Sequence, residues 1–329
     1  MKRFFVLLVL VCCWTAGAPA QASNTTTDAS FKGFIEIEAG RSLYIDWKKA
    51  APGAPTIVLL HGLTYNIASW NQLVAAAAQF NYGILRYDPT GMGETLLLDQ
   101  GVHGIVRIED QARDLDLLTK KIGLRGKLNL VGLSYGGGLA IAFARDYAER
   151  VDNAILMAPF TEPLKGQDTM IRSQIAWTRL TFPLNPASDD DLYAYFLRQN
   201  VFYVYPLTEP SMLENSYKPE AVFQMTQGIR KFDAYKASQK FPAASVHLVI
   251  AGQDQYIERP VMEKFWSQVP EKARASKLVI LRSEHKIPES QPEFAAAWIN
   301  AILGKSKDLA QGRSFTGDPR TGEVEVSSK

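Results

Sequence analysis

The chain has 329 residues, of which 47% are hydrophobic and 21% are charged, and its formal net charge is +2. This composition is typical of a globular protein with one large core, or with a core and a subdomain. The two basic residues Lys2 and Arg3 account for the whole excess of positive charge. No basic field is left to attract nucleic acid or an anionic membrane, so neither is an expected partner.

The N-terminal segment has the pattern of a secretory signal peptide. Its basic start is followed by the short apolar run FFVLLVLVCCW and then by small residues. Cleavage is expected near Ala20 or Ala22, so residues 1–22 form the predicted signal peptide and the mature protein is exported to the periplasm or the medium. The apolar run is too short for a comfortable membrane span, and no transmembrane segment is expected in the mature chain.

Both cysteines, Cys12 and Cys13, lie inside this segment. After cleavage the chain has no thiol, which excludes disulfides, a cysteine nucleophile and thiolate metal ligands. The sequence also contains no dinucleotide-binding fingerprint and no zinc-ligand spacing. We therefore expect no cofactor and no metal.

Beyond the signal peptide, short apolar runs alternate with helical patterns. Strands are predicted at 33–39, 42–47, 56–62, 82–88, 127–133 and 151–159. Helices are predicted between them at 67–80, 105–123 and 135–150. Continuous apolar runs such as TIVLLHG suit strands that are covered on both faces. The alternation predicts an α/β fold with a mostly parallel, doubly wound sheet.

The alternation stops over residues 161–241, which contain many aromatic residues and several prolines but no convincing buried strand. We predict that this segment is a largely helical cap inserted into the sheet domain. Strands then resume at 245–254 and 277–283, with helices at 259–270 and 292–303. The core is thus divided into residues 30–160 and 242–304. Residues 305–329 are polar with little apolar content, and they are predicted to form a disordered tail.

One serine stands between a predicted strand and a predicted helix, in the sequence GLSYG. A strand that turns at once into a helix forces the residue at the turn, Ser134, to a positive φ. Side chains two positions away would clash, so Gly132 and Gly136 suit their places. This arrangement is the nucleophile elbow. A phosphate loop is excluded because no Lys-Ser or Lys-Thr follows the glycines, and the open alternative is a packing turn with a spectator serine.

At this point the chain resembles the α/β-hydrolase family over about residues 33–303. The matching motifs are HGLTYN, YDPTGMGET, GLSYG, AGQD and SEHKIP. The resemblance implies a catalytic triad in the chain order Ser, Asp or Glu, His, which this sequence offers as Ser134, Asp254 and His285. Each of the three lies just past the end of a predicted strand, where an open α/β sheet collects its site.

The three residue types suit nucleophilic catalysis. His285 would take the proton of the Ser134 hydroxyl near neutral pH and give it to the leaving group. Asp254 would fix the tautomer of the imidazole and stabilise its charged form. Two other carboxylates stay open as the acid: Glu258 in the same loop, and Glu162 beyond the preceding strand, where some relatives place it.

The other histidines have simpler interpretations. His247 lies inside a predicted strand, which favours packing. His103 lies in a loop flanked by glycine, which favours a surface or cap contact. His61 belongs to a His-Gly turn and resembles the structural histidine of the family. By the same resemblance, the sequence YDPTGMGET around Asp88 forms a structural turn.

The resemblance also implies an oxyanion hole, which needs two hydrogen-bond donors. The backbone N–H of Tyr135, next after the nucleophile, is one, and the N–H of Leu63 is the other. Thr64 could add its hydroxyl, although a role as a turn residue is favoured.

A serine nucleophile indicates acyl transfer to water. We expect an exported serine hydrolase that cleaves a carboxylic ester through an acyl-enzyme intermediate. Its partner would be a small-molecule ester with an apolar acyl or aromatic group, because an aromatic cap would roof the site, although most cap aromatics are expected to form the cap's own core. Two alternatives stay open: an aminopeptidase or amidase, with Glu209 or Glu214 holding a substrate amine, and a non-catalytic binding protein of the same fold.

Overall fold

The computed structural model describes residues 30–208, 218–305, 309 and 312–327. The predicted signal peptide, residues 1–22, lies outside the described residues, and so do Glu209 and Glu214. None of the helices in the described part of the chain combines the length and the hydrophobicity that crossing a membrane requires.

Ten strands of the described chain form one sheet in the order β1-β2-β4-β3-β5-β6-β7-β8-β9-β10. They are β1 (Ser30–Glu38), β2 (Arg41–Lys48), β3 (Thr56–Leu60), β4 (Gly83–Asp88), β5 (Leu128–Leu133), β6 (Val151–Met157), β7 (Val246–Ala251), β8 (Arg274–Ile280), β9 (Arg313–Asp318) and β10 (Glu323–Val326). Pairing is parallel from β4 through β9 and antiparallel for β1, β2 and β10. The predicted α/β fold with a mostly parallel sheet is confirmed.

Helices connect the strands and cover the sheet. They are α1 (Asn71–Ala76), α2 (Gly93–Leu98), α3 (Ile108–Lys121), α4 (Tyr135–Asp146), α5 (Lys165–Thr181), α6 (Asp189–Thr208), α7 (Pro219–Arg230), α8 (Ala234–Ser238), α9 (Arg259–Gln268), α10 (Ile287–Ser290) and α11 (Pro292–Leu303). Every residue of β5 and of β7 is buried, as in strands that are covered on both faces. These two strands lead directly into the loops that carry Ser134 and Asp254.

In its described part, the segment between β6 and β7 contains four helices, α5, α6, α7 and α8, and no strand. We call residues 161–208 and 218–241 the helical insertion. It has a small apolar core of its own, formed by Ile171, Ile175, Leu192, Tyr193, Leu197, Val201, Val222 and Phe223. The main core around the sheet is a different cluster, but α7 and α8 contribute to it through residues such as Met225 and Ala234. The insertion therefore has its own core in α5, α6 and part of α7 and is packed against the sheet domain through α7 and α8.

The C-terminal segment differs from the predicted disordered tail at 305–329. Strand β9 pairs in parallel with β8, and β10 returns antiparallel to β9. Phe315 of β9 is buried and its ring meets that of Trp298 edge to face, with centroids 5.4 Å apart. Within this segment, residues 313–318 form a strand because the edge of β8 offers unpaired backbone groups and one aromatic side chain anchors the added strand.

Candidate active site

Ser134 occupies a sharp turn between β5 and α4. Its backbone has φ 52° and ψ −114°, a conformation that L residues rarely adopt. A Cβ atom on Gly132 would lie 2.4 Å from the carbonyl oxygen of Gly136, and one on Gly136 would lie 1.9 Å from that of Leu60. Both positions therefore exclude a side chain, as the elbow interpretation requires. The turn has the strained geometry that the sequence predicts.

Backbone hydrogen bonds hold this strained turn in place. The N–H of Ser134 donates to the carbonyl of Met157 at 3.0 Å. The carbonyl of Ser134 accepts from the N–H groups of Gly138 at 3.1 Å and Phe160 at 2.9 Å. The turn is thus fastened both to its own helix and to the end of β6, so the serine hydroxyl starts from a fixed backbone.

His285 and Asp254 form a close pair in the loops after β8 and β7. Nδ1 of His285 lies 2.8 Å from Oδ2 of Asp254, and the two side chains are 7% and 2% exposed. The second carboxylate oxygen, Oδ1, accepts from the N–H groups of Tyr256 and Ile257, both at 2.8 Å. Because the carboxylate is fixed at both oxygens, it orients the imidazole and directs Nε2 away from Asp254.

Ser134 and His285 line the same cavity, which has a volume of about 630 Å³. The sheet domain also contributes Leu63, Thr64, Tyr65, Tyr135, Phe160, Tyr256 and Ile257. The helical insertion contributes Leu164, Gly166, Gln167, Met170, Asn200, Thr226 and Ile229. The structure therefore places Ser134 and His285 at the same cavity, with Asp254 hydrogen-bonded to the histidine.

Leu63 and Tyr135, the predicted oxyanion donors, both line this cavity. Tyr135 is the first residue of α4, so its N–H belongs to the first turn and lacks an intrahelical acceptor. Its phenol is buried and donates to Oε1 of Gln111 at 2.7 Å, and Nε2 of Gln111 donates to the carbonyl of Thr90 at 2.7 Å. Burial raises the pKa of the Tyr135 phenol well above its ordinary value. The side chain of Tyr135 thus anchors the residue next to the serine.

The two alternative carboxylates are engaged elsewhere. Glu162 accepts from the hydroxyl of Tyr235 at 2.6 Å and from Nζ of Lys264 at 2.8 Å. Burial alone would raise the pKa of Glu162, but those two hydrogen bonds outweigh it and lower the pKa below its ordinary value. Glu258 is exposed and lies 3.5 Å from Nζ of Lys165. The carboxylate that is hydrogen-bonded to the ring of His285 is therefore that of Asp254.

The other histidines lie in different surroundings. His61 is buried, with Nδ1 3.0 Å from the carbonyl of Gly62 and Nε2 3.3 Å from Oδ1 of Asp88, the latter without hydrogen-bond geometry. The buried carboxylate of Asp88 also accepts from the N–H groups of Ile67 and Glu94, both at 2.9 Å. Asp88 therefore connects the start of α2 to the segment before α1, in agreement with the predicted structural turn.

His247 is packed inside β7. Nδ1 lies 2.7 Å from Oγ of Ser276, and Nε2 lies 3.2 Å from Oδ1 of Asn153. Burial lowers the pKa of His247 to about 3, so the ring is neutral at physiological pH. His103 is exposed in the loop before α3. Neither histidine lines the cavity of Ser134.

Several aromatic residues of the insertion are more exposed than expected. Trp177 is 66% exposed, and Phe182, Tyr195, Phe202 and Tyr203 are exposed as well. The expectation that most of these rings form the core of the insertion is wrong for these residues. They do not roof the cavity either, because its insertion wall is formed by the aliphatic and amide side chains named above.

Sequence reasoning missed several residues around the site. Tyr256 meets the ring of His285 edge to face, with centroids 5.1 Å apart, and Oε1 of Gln255 accepts from the N–H of His285 at 3.3 Å. Both directly follow the AGQD motif, which was the available signal. Gln167 and Asn200 form a hydrogen-bonded amide pair in the cavity wall, and no spacing in the sequence signals that pair. Within the described residues, no group of three or more His, Cys, Asp or Glu is arranged to hold a metal ion.

Comparison with known proteins identifies the family. The model of the alpha/beta hydrolase family matches residues 57–298, which is most of the chain. A 2-hydroxy-6-oxononadienedioate/2-hydroxy-6-oxononatrienedioate hydrolase from Paraburkholderia phymatum is 32% identical over 137 residues, covering 40% of this chain and 46% of that protein. The chain thus spans about half the length of the curated relatives it matches. The chain belongs to the alpha/beta hydrolase family.

Solved structures agree with the fold. A thermophilic esterase from Thermogutta terrifontis has a TM-score of 0.59 at 22% identity, covering 84% of this chain and 98% of that one. An enol-lactonase from Burkholderia xenovorans has a TM-score of 0.57 at 19% identity, covering 80% of this chain and 97% of that one. At these identities the likeness shows a common fold, and the reaction must be argued from the site.

Proposed function

We propose that this member of the alpha/beta hydrolase family is a serine hydrolase that cleaves a carboxylic ester through an acyl-enzyme intermediate. The observation that carries the proposal is the His285–Asp254 hydrogen bond at 2.8 Å, next to a cavity that Ser134 and His285 line together. A serine on a strained turn, a histidine oriented by a buried carboxylate and a cavity that reaches both are the parts that acyl transfer needs.

In the first half of the reaction, Nε2 of His285 takes the proton of the Ser134 hydroxyl as its oxygen attacks the ester carbonyl. The Asp254 carboxylate stabilises the imidazolium that results, since it already holds Nδ1. The N–H groups of Leu63 and Tyr135 would donate to the oxyanion of the tetrahedral intermediate. The imidazolium then protonates the leaving alcohol, and the acyl group stays on Ser134.

In the second half, water takes the place of the alcohol. His285 removes a proton from the water as it attacks the acyl-enzyme, and a second tetrahedral intermediate forms in the same oxyanion site. Its collapse returns the proton to the oxygen of Ser134 and releases the carboxylic acid. The same three side chains serve both halves of the reaction.

The cavity supports an apolar acyl group. Its walls include Phe160, Leu164, Met170, Ile229 and Ile257, all from the described part of the chain. Apolar walls with a few polar groups are typical of sites for small organic ligands. None of the described lining residues is an Asp or a Glu, so they offer no carboxylate for the amine of a peptide substrate.

A second candidate function is hydrolysis of a carbon–carbon bond. The names of the curated relatives favour it, because those relatives act on a 2-hydroxy-6-oxononadienedioate, which carries two carboxylates. The lining of this cavity favours the ester, since none of its described residues is a Lys or an Arg that would pair with a dicarboxylate.

We also propose that the protein is exported after cleavage of the signal peptide near Ala20 or Ala22. N-terminal sequencing of protein recovered outside the cytoplasm tests this proposal.

The test of the proposed function is hydrolysis of p-nitrophenyl esters with short, medium and long acyl chains. We expect activity in the wild type that is lost in Ser134→Ala and retained in Ser267→Ala, which removes an exposed serine hydroxyl outside the cavity. The acyl-chain length that gives the highest kcat/KM indicates how long an acyl group the cavity accepts. Absence of ester hydrolysis, or equal activity in Ser134→Ala, would contradict the proposal.

A further inference from the structure

We infer that the amide pair Gln167–Asn200 determines specificity, and that it selects a substrate carrying a neutral group that both donates and accepts a hydrogen bond. A hydroxyl and a primary amide are groups of this class. The inference rests on the proposed function, because it deepens the description of the same cavity. It assigns a selective role to the insertion wall, whereas the chemistry belongs to the sheet domain.

The two amides come from different helices of the insertion. Gln167 lies in α5 and Asn200 in α6, and both line the cavity. Nε2 of Gln167 donates to Oδ1 of Asn200 at 2.6 Å. Among the described residues, neither side chain makes another hydrogen bond. The pair therefore holds itself together and keeps hydrogen-bonding capacity for a ligand.

That remaining capacity has a definite chemistry. One bond between two amides uses one oxygen and one N–H, so Oε1 of Gln167 and the NH₂ group of Asn200 stay available. Reversing both amide planes exchanges the roles of the residues but again leaves one acceptor and one donor. The pair thus presents an uncharged acceptor beside an uncharged donor, which a hydroxyl or a primary amide matches.

The surroundings make this match selective. The insertion wall also includes the apolar side chains of Leu164, Met170 and Ile229. An amide pair that meets no polar group of the bound substrate would therefore lose its water without a replacement. A carboxylate at the same place would lose its hydration, and no Lys or Arg among the described lining residues would compensate. The wall therefore favours a neutral polar group over both a methyl group and a carboxylate.

The experiment compares matched esters and three variants. Esters of equal length end in a methyl, hydroxyl, primary amide or carboxylate group, placed on the acyl side in one series and on the alcohol side in another. Gln167→Met and Asn200→Leu remove the pair with similar volume. Gln174→Met is the control, since Gln174 is exposed about two turns further along α5.

We expect the wild type to prefer hydroxyl or amide ends over methyl and carboxylate ends by about tenfold in kcat/KM, in at least one series. Gln167→Met and Asn200→Leu should abolish this preference, whereas Gln174→Met should keep both the preference and the activity of the wild type. Equal preferences in wild type and variants would overturn the inference with the proposed function intact. A carboxylate-ended ester as the best substrate would also overturn it.

Binding separates this inference from the proposed function. Calorimetry with the Ser134→Ala protein compares an alkanamide, an alkanol and an alkanoate of equal chain length, without turnover. Tighter binding of the neutral ligands that is lost in Gln167→Met supports the inference even if no ester is hydrolysed. Equal binding of the three ligands, or tighter binding of the alkanoate, contradicts it.

Discussion

Two aspartate–histidine pairs lie at the carboxyl ends of strands in this sheet, one near β4 and one near β7. In the first, Oδ1 of Asp88 is 3.3 Å from Nε2 of His61. In the second, Oδ2 of Asp254 is 2.8 Å from Nδ1 of His285. Each carboxylate also accepts two backbone N–H groups. Both pairs thus combine the same residue types with the same kind of position, at the carboxyl end of a strand.

The pairs differ in access to the cavity and in geometry. The side chains of His61 and Asp88 are fully buried, and their contact lacks hydrogen-bond geometry. The ring of His285 lines the cavity that holds Ser134, and its bond to Asp254 is well formed. A His and an Asp at the end of a strand therefore do not by themselves define a function. The proposed base is the histidine whose ring lines the cavity that holds Ser134.

The largest expected effect comes from His285→Ala. It removes the proposed base, so kcat for an ester should fall by roughly 10⁴- to 10⁶-fold with little change in Tm. His61→Ala is the matched variant, and it should lower Tm while changing kcat far less. Steady-state kinetics with thermal unfolding measures both. A similar loss of activity in the two variants would remove the distinction between the pairs.

Asp254→Asn should have the next largest effect. The amide cannot hold the imidazole in the required tautomer, so kcat should fall by about 10⁴-fold. The backbone bonds to Tyr256 and Ile257 retain an oxygen acceptor, so the loop should keep its conformation. Kinetics on protein with an unchanged circular dichroism spectrum measures the loss. Near wild-type activity would mean that another carboxylate serves His285.

Asp88→Asn tests the structural pair. The NH₂ group of Asn cannot accept a hydrogen bond, so the N–H of either Ile67 or Glu94 loses its acceptor, and the free energy of unfolding should fall by about 3 kcal/mol. Urea denaturation gives the value, and kcat of the folded fraction should stay close to that of the wild type. An unchanged free energy of unfolding would show that the hydrogen bonds of Asp88 to the backbone do not stabilise the fold.

His247 gives the smallest expected effect and sharpens the comparison, because it is buried without a carboxylate partner. Its pKa is lowered to about 3 by burial, so the unfolded chain binds a proton first as the pH falls through about 6.5. Stability should therefore fall by up to about 2 kcal/mol between pH 7 and pH 5. His247→Gln should reduce this pH dependence in urea denaturation. The same pH dependence in His247→Gln would assign it to other groups.

Local patterns predicted much of the fold and of the candidate site. Apolar runs placed the strands β3 to β8 within a few residues, because a strand covered on both faces requires such a run. The turn at Ser134 was predictable since its glycines are required by contacts between adjacent elements. The resemblance to the α/β-hydrolase family predicted the pair of His285 and Asp254, and their places after two strands of a parallel sheet agree with it.

Non-local contacts set the limit of that prediction. Strand β9 has little apolar content, and it exists because β8 offers an open edge and Phe315 packs on Trp298. The exposure of Trp177 depends on how α5 meets its neighbours, which its own sequence does not specify. The Gln167–Asn200 pair joins two helices whose relative position is set by the packing of the insertion.

Covalent labelling can show whether Ser134 is an activated nucleophile. A fluorophosphonate phosphonylates a serine hydroxyl that a neighbouring base activates, so mass spectrometry of the treated protein identifies the nucleophile without a known substrate. We predict one adduct on the peptide containing Ser134, absent in Ser134→Ala and in denatured protein, formed far more slowly in His285→Ala and retained in His61→Ala. No adduct, or an adduct on another residue, would rule out Ser134 as the activated nucleophile.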